Sequence, residues 1–132
     1  MLYCLDSSVI IDILRGDASL LAKLEALSSR QSQICITPIV LAELFKGAYL
    51  AERQKEALQL VEDFVHSVAL LEFNEESAKS FGQKYAELQK QGKQTQEADL
   101  MIACIALVHE AIVVTRNKKD FVNISGLKLI EW

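Results

Sequence analysis

Residues 97–121 read EADLMIACIALVHEAIVVTRNKKDF, and the change of rhythm inside this stretch decides the fold. Residues 98–110 are apolar on most faces of a helix, and a helix with so little polar surface is mostly buried. Residues 111–115, AIVVT, then turn β-branched and short, which is the signature of a strand. Working outward, the same alternation recurs. Leu2–Leu5 is a short buried strand. Ser7 or Ser8 can cap the helix that carries Val9, Ile10, Ile13 and Leu14 and that Gly16 ends. Leu20, Leu21, Leu24 and Leu27 space a second helix over 18–29. Gln33–Ile36 is a second strand, Thr37 a cap, Pro38 a first-turn residue, and 39–50 a helix. Gln54–His66 places Leu58, Val61 and Val65 on one side of another. A third strand over 68–71 precedes a long helix over 75–91, the polar loop 92–96 and the buried helix of the opening stretch; 127–130 forms a weaker fifth strand. Strands that alternate with helices predict one α/β domain over residues 1–132, an α/β/α sandwich around a central, mostly parallel sheet of five strands.

Composition agrees with that reading. The chain has 132 residues, 51% of them hydrophobic and 24% charged, which suits one compact domain and leaves too little for two. No apolar run reaches membrane-spanning length, and Met1 leads directly into a strand without a signal-peptide core, so the expected location is the cytoplasm. Cys4, Cys35 and Cys104 are odd in number and far apart, and they sit in apolar surroundings. They read as reduced core thiols rather than as a disulfide framework or a zinc site. A net charge of −4 does not advertise a nucleic-acid binder. It does not exclude a nuclease, because a metal ion brings positive charge to where phosphate docks, and Arg15, Lys46, Arg116, Lys118 and Lys119 can form a local basic rim.

Four carboxylates stand at the edges of the most apolar or most sharply punctuated segments: Asp6, Glu43, Asp99 and Asp120. An acid beside a buried element costs desolvation free energy unless a cation, hydrogen bonds or water satisfy it. A shared divalent metal explains all four at once, and in an open parallel sheet the carboxyl ends of the strands converge on one crevice where they can meet. Taken singly, each has a plainer account. Asp6 can cap the following helix, Glu43 can be a solvated helix charge, Asp99 or Glu97 can favour a helix N-terminus, and Asp120 can be a turn residue. Asp12 and Asp63 look like helix-face charges, and His66 and His109 lie near helix ends outside any catalytic pattern.

Four segments in order, LDSSVIIDILRG (5–16), TPIVLAELFKGA (37–48), residues 97–121 and ISGLKLIEW (124–132), resemble the PIN domain in its VapC form, the toxin half of bacterial toxin–antitoxin pairs. The resemblance covers essentially the whole chain. It implies an Mg2+- or Mn2+-dependent endoribonuclease that cleaves structured RNA, dimerises, and is held inactive by a VapB-like antitoxin wrapped across the helices near the site. By the same resemblance, Asp6 and Asp99 bind one metal ion, Glu43 holds a second ion or orients water, and Asp120 is the fourth acid, with Asn117 able to share its task. Ser7 stands where the family more often has Thr and keeps a hydroxyl. Thr115 bridges to an acid, and Arg116 contacts RNA phosphate. Oxygen ligands without histidine suit Mg2+ and suit zinc poorly.

Other classes fit less well. A phosphoaspartyl transferase typically has a second Asp where this chain has Ser8, and a receiver-like domain needs paired acids at the first strand. A PIN-fold binding module without catalysis has no need of four mutually repelling acids.

Overall fold

The computed structural model describes residues 1–28 and 30–132. Its most enclosed strand is β4 (Ile112–Thr115), whose four residues are all buried. Because successive side chains point to opposite faces, complete burial means that both faces of the sheet are covered. β1 (Leu2–Leu5) lies beside it, followed outward by β2 (Gln33–Ile36) and β3 (Ala69–Leu70), while β5 (Leu129–Glu131) flanks β4 on the other side. Every pairing is parallel, and the order is β3-β2-β1-β4-β5. The register sets Cys4 opposite both Cys35 and Val113, and all three cysteines are buried free thiols. After β1 the chain builds outward to β3, then returns to add β4 and β5 on the opposite side. The strand order therefore reverses between β1 and β4, which is where a doubly wound sheet opens a crevice at the strands' carboxyl ends.

Among the described residues six α-helices cover the sheet: α1 (Ser7–Leu14), α2 (Ala18–Ser28), α3 (Pro38–Leu50), α4 (Gln54–His66), α5 (Glu75–Lys90) and α6 (Glu97–Val108). α6 is the most buried, with Leu100 and the run from Ile102 to Ala106 enclosed. α3 packs on α4, and α5 on α6. Phe121, 1% exposed, anchors the segment after β4 into the same core as Ile10, Ile36 and Val113.

The structure departs from the sequence reading mainly at ends. The second helix was expected to reach residue 29, which lies outside the described residues. The third strand keeps only two of its four expected residues, although the Leu71 N–H still donates to Ile36 O at 2.9 Å. The fifth strand begins two residues later than 127 because residues 125–128 form a turn and connector; Lys128 contributes only its carbonyl, to the Val113 N–H at 2.9 Å. Asp6, rather than Ser7 or Ser8, caps α1, with an extended backbone and a carboxylate that accepts from the Ser7 N–H. A short 3-10 turn, Lys118–Asp120, follows β4 and carries Asp120.

Thr37 caps α3 as expected: its hydroxyl accepts from the Val40 N–H at 3.2 Å, and Pro38 occupies the first turn. The residue is fully buried, so without that oxygen the amide meets neither protein nor water. Thr37→Ala should cost about 1–2 kcal/mol, the upper part of the range for lost caps. Urea denaturation would show this as a lowered midpoint with an unchanged slope.

Candidate active site

Asp6 ends β1 at the crevice and is 6% exposed. Its ladder continues through its own N–H, which donates to Val114 O at 2.9 Å, so the carboxylate is held at the junction of β1 and β4. Oδ1 accepts from the Ser7 N–H at 2.9 Å. Oδ2 accepts from two hydroxyls, Thr115 at 2.8 Å and Ser8 at 3.1 Å. Thr115, at the end of β4, is thus the bridge to an acid that the resemblance implied.

Glu43 comes from α3. Ser7 Oγ donates to its Oε2 at 3.4 Å, while Oε1 is the one buried side-chain oxygen or nitrogen among the described residues without a hydrogen-bond partner. Burial, and after it the charge of Asp6, raise the Glu43 carboxyl above its usual range, with Ser7 and Lys46 opposing. Asp99 lies in the first turn of α6. Its carboxyl is pushed up to about 6, first by burial and then by the charges of Asp6, Asp120 and Glu43. That ordering places all four acids in one electrostatic neighbourhood, although they come from β1, α3, α6 and the 3-10 turn. Asp120 is exposed on that turn. Of the two residues left open by sequence, Asp120 is the one whose charge reaches Asp99, whereas Asn117 gives its backbone N–H to Thr115 Oγ1 at 3.0 Å.

Arg116 takes an unforeseen position. Its guanidinium lies 3.1 Å from Asp12 Oδ2 and 3.3 Å from Asp17 Oδ2, tying the loop after β4 to α1 and to the turn beyond it. The Leu20 N–H, followed by Arg116, holds the Asp17 carboxyl below its usual range. Asp12 is therefore an ion-pair partner rather than a free helix charge, and a phosphate must compete with two carboxylates for Arg116. Ser8 was considered only as a helix cap, yet it links Asp6 to the Arg116 backbone. A hydroxyl two residues after the strand-ending acid was its only sequence signal.

The donor set fits a hard divalent cation. It is all oxygen, Glu43 Oε1 is buried without a partner, and Asp6 Oδ1 keeps a lone pair beyond the Ser7 bond. Among the described residues no three acidic, cysteine or histidine side chains stand in a ligating arrangement. An apolar groove of about 210 Å³ between α1, α3 and α4, lined by Ile11, Leu14, Leu44, Ala48, Leu60 and Val61, runs up to Glu43.

Residues 3–127 match the PIN domain family model. The chain belongs to the PIN domain family. Within it, the chain is 30% identical over 130 residues to ribonuclease VapC2 of Haemophilus influenzae, covering 98% of this chain and 97% of that protein. It is 29% identical over 130 residues to the tRNA(fMet)-specific endonuclease VapC of Shigella flexneri, with the same coverage. The fold superposes on VapBC2 from Rickettsia felis, solved bound to a DNA fragment from its promoter, with a TM-score of 0.94 at 28% identity, covering 100% of this chain and 99% of that one. This PIN domain is therefore of the VapC ribonuclease kind, and no helix of it is long and apolar enough to cross a membrane among the described residues.

The raised Asp99 carboxyl has a defined consequence for stability. Its folded pKa of about 6 exceeds the unfolded value of about 3.9, so the folded state binds this proton more tightly. Stability of the metal-free PIN domain should then fall as pH rises between those two values and level off above the higher one. Asp99→Asn should remove this contribution and be the more stable protein at neutral pH. Thermal unfolding of both proteins from acid to neutral pH checks it: parallel curves would contradict the assignment, whereas a gap that widens up to about pH 6 would support it.

Proposed function

We propose that this chain is the ribonuclease toxin of a toxin–antitoxin pair, hydrolysing RNA phosphodiester bonds with Mg2+ or Mn2+ held among Asp6, Glu43, Asp99 and Asp120. The observation that carries the reading is the pressure on Asp99, which feels burial and the charges of all three other acids. An inert binding module would bear that cost without return. The related proteins add the substrate class: one is named a ribonuclease and another a tRNA(fMet)-specific endonuclease, so a structured RNA, with tRNA offered first, is the substrate proposed here.

A bound divalent ion supplies a water of lowered pKa as nucleophile and offsets negative charge at the scissile phosphate. The chain's own residues do the rest. Asp6, at a strand end, and Asp99, on a buried helix, would hold the ion between two separate elements. Glu43 Oε1 is available to coordinate or to accept a proton from the attacking water, since no protein donor occupies it among the described residues. Asp120, being exposed, is open to RNA arriving from solvent. Lys118 and Lys119 on the same turn supply charge for the flanking phosphates.

The proposed partner is a VapB-like antitoxin, because the Rickettsia felis protein was solved as a VapBC2 complex. The groove between α1, α3 and α4 fits an apolar segment whose basic end would meet Glu43. The chain acts as a homodimer in the cytoplasm in this reading.

Purified protein free of antitoxin should cleave tRNA in Mg2+ or Mn2+ and stop in EDTA. Folded Asp6→Asn, Asp99→Asn and Glu43→Gln variants should each lose more than about 100-fold in rate, beyond the 10–100-fold that follows loss of a group standing behind a ligand. Cleavage that persists in EDTA, or in the Asp6→Asn and Asp99→Asn proteins, would refute the proposal.

A further inference from the structure

Two successive backbone amides after β4 each hold a hydroxyl. The Arg116 N–H donates to Ser8 Oγ at 3.2 Å, and the Asn117 N–H donates to Thr115 Oγ1 at 3.0 Å. A hydroxyl has one proton to give. With their acceptor sides engaged by these amides, both hydroxyls turn their protons to the same atom, Asp6 Oδ2, at 3.1 Å from Ser8 and 2.8 Å from Thr115. The two hydroxyl oxygens are also 3.4 Å apart, as follows when both converge on one acceptor. Ser8 Oγ lies 3.1 Å from the carboxylate oxygen but 3.4 Å from Thr115 Oγ1, and bonds to an ionised acceptor are the stronger ones, so its proton belongs on Asp6.

A carboxylate offers about four lone-pair directions, two on each oxygen. On Asp6 the two hydroxyls use both directions of Oδ2, and the Ser7 N–H uses one of Oδ1. One direction remains, on Oδ1. We propose that Ser8 is a positioning residue which, together with Thr115, saturates Oδ2 of Asp6 and so presents Oδ1 alone to the cation. The ligand geometry is thereby set before any ion arrives, and Asp6 cannot swing to a two-oxygen grip without giving up two hydrogen bonds. The loop that supplies the amide is itself moored, through the Arg116 guanidinium on Asp12 and Asp17, so the orientation of Asp6 is tied to three separate segments of chain. This inference rests on the metal-dependent reading of the site.

The test is calorimetric titration of Mn2+ into metal-free protein, with thermal unfolding of the same samples. Native protein that binds no Mn2+ would overturn the metal reading and this inference with it. If the native protein binds, Ser8→Ala should weaken Mn2+ by about 10-fold, the lower part of the range for groups that orient a ligand, and Ser8→Thr should restore nearly native affinity. Ser8→Cys keeps the shape with a weaker donor and should fall between them, which gives a second reading if the alanine variant does not fold. Native Mn2+ affinity in Ser8→Ala or in Ser8→Cys, whatever the change in unfolding temperature, would overturn the positioning role and leave the metal site intact. So would Ser8→Thr binding as weakly as Ser8→Ala.

Discussion

Mutual repulsion among Asp6, Glu43, Asp99 and Asp120 is the force that this structure has to contain. Four acids share one electrostatic neighbourhood, and the raised carboxyls of Glu43 and Asp99 register their burial first and the charge of their neighbours after it. The containment is built from stiff parts. Asp6 is welded to the β1–β4 junction by its ladder bond and by three donors, while Asp99 rides on the most enclosed helix of the fold. A less rigid frame would relax by letting the acids drift apart. The buried frame around β1 and α6 is what keeps them together.

Restraint is unevenly distributed around the site. Asp6 has nearly all of its hydrogen-bonding capacity filled, whereas Glu43 leaves one buried oxygen open and Asp120 is exposed on a three-residue turn. The site therefore grades from a hydrogen-bonded wall at β1 to an exposed rim at Asp120. This suits the proposed reaction, in which an ion would need a defined seat and RNA would approach beside it. Arg116 belongs to the fixed side. Its guanidinium braces the loop on Asp12 and Asp17, and its amide serves Ser8.

The alternation of elements was legible in the chain because apolar periodicity is a local property, and helix starts such as Thr37-Pro38 carry their own chemistry. The four acids could be singled out for a similar reason, since a carboxylate next to an apolar run is conspicuous wherever it occurs. Ser8 was not legible as more than a cap, because its partners lie 107 and 108 residues away and only the β1–β4 register brings them alongside. The ion pair of Asp12 with Arg116 escaped for the same reason: a sequence shows charges but not where a long side chain reaches. Edge strands were misjudged by a residue or two, since propensity continues past the point where a neighbour stops offering hydrogen bonds.

Those edges carry a consequence of their own. The sheet terminates on one side in a two-residue strand, Ala69–Leu70, and on the other in a three-residue strand, Leu129–Glu131. A bare sheet edge is a template on which a second chain can extend the ladder, and aggregation begins there. Edges this brief offer few unpaired backbone groups, even though Leu70 is 52% exposed. For a protein whose proposed task begins when its partner is gone, edges this short leave little ladder on which a second copy could build.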